Sequence, residues 1–324
     1  MIERNRIEDP VALEFKRFNE DFLHSLASTT PMLQSAIDTI MHSSGKHIRP
    51  LLVLLTAKMC GQVTDKAINS AVLLELLHTA SLIHDDVIDN TRERRGLPSL
   101  NAIFDNRVSV LVGDYLLSSA LIRSVQTADF RIINVVCEVG RELSEGEIRQ
   151  LEMVEKMILE ERSYLQLIRK KTAMLLAACT QVGALSAGAT DEVVGKCRLF
   201  GEYFGYSFQI RDDIFDYFDN ADIGKPTGND ILDGKITLPL LHALSSVENG
   251  KAHYYRQMIE NRSITKDTVG ELTRFAKENG GIEYAESRMK EYRDKALDIL
   301  YTFPESEART GLLLLADYII ERKR

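Results

Sequence analysis

Residues 67–89 read AINSAVLLELLHTASLIHDDVID. Apolar residues recur at three-and-four spacing along the whole stretch, the pattern of a helix with a buried face. The run closes on Asp85-Asp86-Val87-Ile88-Asp89. At 100° per residue, Asp85 and Asp89 project from one face a turn apart, with Asp86 beside them. Like charges at i,i+4 destabilise a helix, and a pair about 4 Å apart repels by roughly 4 kcal/mol at an effective dielectric near 20. Something cationic is therefore expected on this turn. A solvated acidic face explains a single cluster of this kind, but here Leu82, Ile83, Val87 and Ile88 surround the acids and call for burial.

Working outward, the same signature returns at Asp212-Asp213-Ile214-Phe215-Asp216, again among apolar residues, Phe208, Ile210, Ile214 and Phe215. Oxygen ligands without His or Cys suit hard ions, and Mg²⁺ prefers a few carboxylates completed by waters and phosphate oxygens. Helical periodicity also runs through 11–26, 48–59, 108–125, 132–157, 164–187, 193–218, 282–301 and 310–320. Only seven prolines and almost no alternating Val/Thr/Tyr runs leave little room for a sheet. The expectation is an all-α chain of ten or more helices. No Pro/Gly/Ser-rich linker divides it, so residues 1–324 are read as one domain.

The composition agrees. With 324 residues and 44% hydrophobic content the chain has ample material for a core, which argues against disorder and a disulfide scaffold. A net charge of -8 argues against a nucleic-acid-coating protein. Four cysteines without a C-x-x-C pair suggest reduced thiols. Residues 1–10 mix acids and bases with no apolar core, so no signal peptide is expected and the cytoplasm is the expected location. The uncharged stretch 172–190 is too polar for a membrane span and reads as a tightly packed core helix.

Basic residues follow in a pattern suited to phosphate. Arg94 and Arg95 come directly before Gly96, and guanidinium forks hold phosphate oxygens bidentately. Lys46 and Arg49 stand near a helix start, where the dipole favours anions. Lys170 and Lys171 precede the uncharged helix, while Lys225 and Lys235 flank the Gly-rich connection after the second aspartate turn. Together these groups point to two diphosphates, one bridged through metal and one held by cations alone. His78 lies two turns before Asp85 on the same face and joins them; His84 reads as a packing residue.

At this point the sequence resembles the trans (E) polyprenyl diphosphate synthase family, over nearly the whole chain. The matching segments are GKHIRP (45–50), ELLHTASLIHDDVIDNTRERRG (75–96), LVGDYLL (111–117), KTAML (171–175), FQIRDDIFD (208–216) and GKPTGNDILDGKITLP (224–239). Within the family it is most similar to long-chain, octaprenyl-type bacterial enzymes. The resemblance implies a helical bundle around a deep apolar cavity, a homodimer, and three Mg²⁺ ions once substrate is bound. Carried over by motif, Asp85, Asp86, Asp89, Asp212 and Asp216 would be metal ligands on the allylic diphosphate, with Asp213 in support. Arg94, Lys171, Lys225 and Lys235 would grip that diphosphate, while Lys46, Arg49, His78 and Arg95 would hold isopentenyl diphosphate without metal. Thr172 and Gln209, with the Lys171 carbonyl, would turn dipoles toward an allylic cation. The basic end, Arg322-Lys323-Arg324, resembles a family tail that closes over the second site. Glu147 and Gln150 are weaker members of the set.

In this family product length follows the side chains below the first aspartate motif. Ala80 and Ser81 are small, so a growing tail is expected to pass them, with Leu77, Leu74, Leu73 and the helix over 108–125 deeper down. A product of about C40 from farnesyl or geranylgeranyl diphosphate is the expectation, with a geranylgeranyl synthase as the alternative. Two other readings compete with this one, an HD-type metal phosphohydrolase and a non-catalytic metal-binding bundle of the di-iron kind. His84-Asp85 suits an HD-type metal phosphohydrolase, but that leaves the second aspartate turn unexplained. Glu75-Leu76-Leu77-His78 has the Glu-x-x-His spacing of di-iron bundles, which need it twice.

Overall fold

The structure is a computed structural model that describes residues 4–42, 45, 47–94, 96–218, 228–247 and 250–321. The first half of the chain forms α1 (Arg4–Glu8), α2 (Ala12–Leu26), α3 (Pro31–His42), α4 (Ile48–Cys60) and α5 (Asp65–Ile88). A two-residue hairpin, β1 (Glu93–Arg94) and β2 (Leu97–Pro98), precedes α6 (Leu100–Ile103), α7 (Asn106–Gln126) and α8 (Phe130–Lys156). Then come α9 (Glu161–Ile168), a π-helical turn (Arg169–Ala173), α10 (Met174–Ser186) and α11 (Asp191–Phe215). The remainder is α12 (Asn229–Leu232), α13 (Leu238–Ser246), α14 (Gly250–Glu260), α15 (Lys266–Glu278), α16 (Gly281–Tyr301) and α17 (Glu307–Glu321). The chain is all-α, as the periodicity indicates.

Helices α4, α5 and α10 are apolar on nearly every face, and a helix hydrophobic all round belongs in the interior. Accordingly α5 packs against α2, α4, α7 and α10, while α10 packs on α4 and α11, and α11 on α16. One core cluster joins α2, α4, α5, α7, α10 and α17. A second joins α9, the C-terminal half of α11 and α13 to α16, and Tyr203 packs against both. Two helices start on aspartate caps: Asp105 Oδ1 accepts from the Arg107 and Val108 amides at 2.8 and 3.0 Å, and Asp129 accepts from the Arg131 amide at 3.1 Å.

Two glycines set helix separations that matter for the site. A Cβ on Gly113 would lie 2.2 Å from the His84 Nε2, so the His84 ring occupies the space a side chain on α7 would need. A Cβ on Gly205 would lie 2.4 Å from the Ala173 Cα, so α11 touches the backbone of the π turn.

The periodicity over 164–187 reads as one helix, whereas the structure divides it into α9, the π turn and α10. The apolar pattern survives a π turn because one inserted residue only rotates the later face. By length and composition α5 and α7 would suffice to cross a membrane. In this fold α5 is a core helix, its apolar window 67% buried, while that of α7 is only 33% buried.

Candidate active site

The C-terminal ends of α5 and α11, the π turn, α8 and the loop between α12 and α13 enclose a cavity of about 930 Å³, toward the upper end of ligand pockets. Arg49, His78, Asp85, Asp89, Arg94, Lys171, Thr172, Gln209, Asp212, Asp213 and Lys235 all line it. These residues come from five separate segments of the sequence. Lys46, Arg95, Lys225 and Arg322-Lys323-Arg324 lie outside the described residues.

Three of the expected cations lining the cavity rest on acids. Lys235 Nζ lies 2.9 Å from Asp89 Oδ2 and so ties the α12–α13 loop to the tip of α5. Lys171 Nζ lies 2.6 Å from Glu147 and donates to Gln150 at 2.9 Å. The Arg94 guanidinium grips Asp86 with three contacts of 2.7 to 3.0 Å. Glu147 and Gln150 are thus the resting partners of Lys171.

The six aspartates expected at the metal are not equivalently placed. Asp85, Asp89, Asp212 and Asp213 reach the large cavity. Asp86 is buried, lines only the smaller neighbouring pocket, and spends its carboxylate on Arg94. Asp213 is buried and accepts from the Tyr164 hydroxyl at 2.6 Å and the Gln209 amide at 2.7 Å. Asp216 is absent from the cavity lining and instead accepts the Asp230 amide at 3.2 Å, anchoring the start of α12. The physical reason is common to all three: a carboxylate turned inward from a helix end needs donors, and each has found them locally.

Asp230, in their place, stands at the cavity wall. Sequence reading passed over it and over Tyr164, because neither belongs to a repeated or charged cluster. Asp230 is a single acid within a family-like segment, and Tyr164 looks like any core aromatic.

Electrostatics identify the cavity as a place that wants positive charge. Burial, reinforced by Glu147, pushes the Asp85 carboxyl up to about 7, against the pull of Lys171 and Arg94. Burial and Asp230 raise Asp213 to about 8, although the hydrogen bonds from Tyr164 and Gln209 work the other way. Asp230 is pushed up to about 7 by burial and Asp216, with Lys235 opposing. Burial leads all three shifts, so each of these carboxyls resists ionising without further positive charge beside it.

A metal fits this donor set in a particular way. Among the described residues no three His, Cys, Asp or Glu side chains converge on one point, so the protein offers no complete cage. That matches a hard ion held by one or two carboxylates from each aspartate turn, with other oxygens from a ligand and water.

On the other wall, Thr172 Oγ1 donates to Gln209 Oε1 at 2.6 Å. The π turn puts Lys171 and Thr172 on the cavity side, a common use of such turns. His84 packs on Gly113, with its Nε2 3.5 Å from Asp114, and among the described residues no group of three metal-ligating side chains forms of the kind an HD-type site would need. Glu75 likewise pairs with His47, at 3.8 Å, away from any second Glu-x-x-His.

Of the two small residues before the first motif, Ser81 lines the cavity while Ala80 is buried in the core, as are Leu73, Leu74 and Leu77. The apolar lining comes from α8, through Leu143, Ile148, Leu151 and Val154, more than from α7, which contributes Val110.

The polyprenyl synthetase family profile matches residues 30–275. The octaprenyl diphosphate synthase of Haemophilus influenzae is 35% identical over 321 residues, covering 99% of this chain and 96% of the relative. The heptaprenyl diphosphate synthase component 2 of Geobacillus stearothermophilus is 39% identical, with 90% of each chain covered. Among solved structures, the polyprenyl synthase of Caulobacter crescentus, complexed with calcium and isoprenyl diphosphate, superposes with a TM-score of 0.93 at 30% identity over 99% of this chain and 98% of that one. The geranylgeranyl pyrophosphate synthase of Bacteroides thetaiotaomicron gives 0.86 at 41% identity over 98% and 99%. With its family profile, its relatives and its fold in agreement, this chain belongs to the polyprenyl synthetase family and is a prenyltransferase of the polyprenyl diphosphate synthase type.

Proposed function

We propose that the protein condenses isopentenyl diphosphate in trans onto an allylic diphosphate, farnesyl or geranylgeranyl, and releases pyrophosphate and a long-chain product of about C40. The observation that carries this reading is the convergence of the first aspartate turn, Asp212, Lys171, Thr172 and Gln209 on one cavity that Leu82, Leu143, Leu167, Leu175 and Phe208 also line. Asp85, Asp89 and Asp212 would hold Mg²⁺, with Asp216 and Asp230 close behind and Asp86 and Asp213 supporting them. Bound there with the diphosphate, Mg²⁺ would neutralise the negative charge that develops as the allylic C–O bond breaks.

The remaining work falls to the chain's own side chains. Lys171 and Lys235 would leave Glu147 and Asp89 for the phosphate oxygens, so that substrate binding exchanges one ion pair for another. Arg94 holds Asp86 and faces both pockets, a position from which it orients the first motif and meets the diphosphate. Arg49 and His78 would seat isopentenyl diphosphate, and by motif Lys46 and Arg95 join them, with Lys225 on the allylic side. Thr172, Gln209 and the apolar wall would stabilise the allylic cation and exclude water. The double bond of isopentenyl diphosphate attacks that cation, and the proton lost from the adduct passes to the departing pyrophosphate.

We place residues 1–324 in one domain working as a cytoplasmic homodimer. The free thiols fit a reducing compartment. Leu111, Leu121, Ile122 and Val125 of α7, with Phe130 of α8, are exposed and form the face that a second copy would cover. The 41% identity to a geranylgeranyl synthase favours a shorter product as the second reading. Incubating the purified protein with Mg²⁺, farnesyl diphosphate and labelled isopentenyl diphosphate, then sizing the dephosphorylated products, separates these outcomes. Products near C40 are expected, and a C20 stop would favour the second reading. Phosphate release without any chain extension would refute both.

A further inference from the structure

Tyr164 is buried, yet its hydroxyl is engaged at the edge of the active cavity. It donates to Asp213 Oδ2 at 2.6 Å, while the other oxygen, Oδ1, accepts from Gln209 Nε2 at 2.7 Å. Gln209 Oε1 in turn accepts from the Thr172 hydroxyl at 2.6 Å. The chain of donors thus runs in one direction, from Thr172 through Gln209 to Asp213, with Tyr164 closing the far side. It joins α9, the π turn and α11 at the point where Gly205 lets α11 touch Ala173.

Direction matters because an amide is two-ended. In this structure Gln209 turns its nitrogen toward Asp213 and its oxygen toward Thr172. The Thr172 hydroxyl then spends its proton on Gln209, which leaves its oxygen lone pairs for a cationic centre. A reversed Gln209 would present N–H to Thr172 and draw its lone pairs away from that centre. An isolated Asp213 has a free oxygen and can swing; one held from behind by a buried hydroxyl cannot.

We propose that Tyr164 is a positioning residue that holds Asp213, and through it fixes the orientation of Gln209 and the polarity of the Thr172–Gln209 pair facing the allylic cation. The inference rests on the reading of Thr172 and Gln209 given above. Tyr164 itself touches neither diphosphate in this scheme, so it should affect the chemical step and not the binding of isopentenyl diphosphate.

The test is a double-mutant cycle between Tyr164→Phe and Gln209→Ala, read by single-turnover rate of the first condensation. Tyr164→Phe should slow that rate about tenfold, as loss of one buried hydrogen bond suggests, while the KM for isopentenyl diphosphate stays within about twofold. In the Gln209→Ala background the same substitution should change the rate less than about twofold, because the group through which it acts is gone. A second arm needs no activity: in chelator, Tyr164→Phe should lower the thermal midpoint, since the buried Asp213 loses a donor.

An unchanged single-turnover rate, equal slowing in both backgrounds, or an unchanged midpoint in chelator would overturn the proposal. If Tyr164→Phe does not fold, Tyr164→Met takes its place in the cycle, since it removes the same hydroxyl donor, with the same outcomes. A wild-type protein that forms no prenyl product would refute the proposed function instead, while the chelator arm would still report on the hydrogen bond.

Discussion

Replacing Asp85 with Asn should make the metal-free protein more stable while removing most of its turnover. The folded chain pushes the Asp85 carboxyl from an ordinary value of 3.8 up to about 7, first by burial and then by the charge of Glu147. A raised carboxyl means the folded state holds its proton more tightly than the unfolded one. Stability from this group is therefore present at low pH and is lost as pH rises from 3.8 toward 7. At 1.36 kcal/mol per pH unit, about 4 kcal/mol is lost by pH 8. Asn carries no charge to bury, so Asp85→Asn should recover about 2 to 4 kcal/mol there, and about 1.5 kcal/mol at pH 5. With an unfolding entropy of about 2.1 cal/mol/K per residue, the larger range corresponds to a rise of about 3 to 6 °C in Tm at pH 8. Calorimetry in chelator at the two pH values reads the stability, and product formation with Mg²⁺ should fall by orders of magnitude in the same variant. An unchanged or lower Tm at pH 8, or near-normal turnover, would refute the reasoning.

Four further outcomes follow from the geometry. Arg49→Ala should raise the KM for isopentenyl diphosphate about 10- to 150-fold in steady-state kinetics, through loss of a charge-assisted contact of roughly 1.5 to 3 kcal/mol; a rise confined to the allylic KM would reverse the assignment of the two subsites. Ser81→Phe, which fills the cavity about one turn from Asp85, should shift dephosphorylated products to about C15–C20 on chromatography. Ala80→Phe, which overpacks the core, should instead lower Tm, at a cost of about 1 to 3 kcal/mol, with less change in product length. Gly205→Ala sets a methyl against the Ala173 backbone at 2.4 Å and should lower both Tm and kcat by parting Gln209 from Thr172, with near-wild-type values of both counting against that packing role.

Much of this architecture was legible along the chain. Three-and-four apolar spacing specifies long helices locally, so residues 67–88 announce a buried helix before any partner is known. The two aspartate turns were legible for the same reason: acids on an apolar helical face carry an electrostatic cost that only a bound cation or a donor can offset. Which of those acids meets donors and which stays open to the cavity is a different kind of fact. Asp86 and Asp213 look like Asp85 and Asp212 in sequence, but Arg94 reaches one from a hairpin, and Tyr164 reaches the other from a helix 49 residues away. Asp216 turns to α12, leaving Asp230 at the wall. Ala80 and Ser81 are neighbours of similar size, yet 100° of helical rotation sends one into the core and the other into the cavity. Local spacing determined the helices and their charges, because those interactions run between residues close in sequence. Tertiary packing decided the division of labour among the acids, because hydrogen-bond partners and cavity walls arrive from segments whose separation no periodicity encodes.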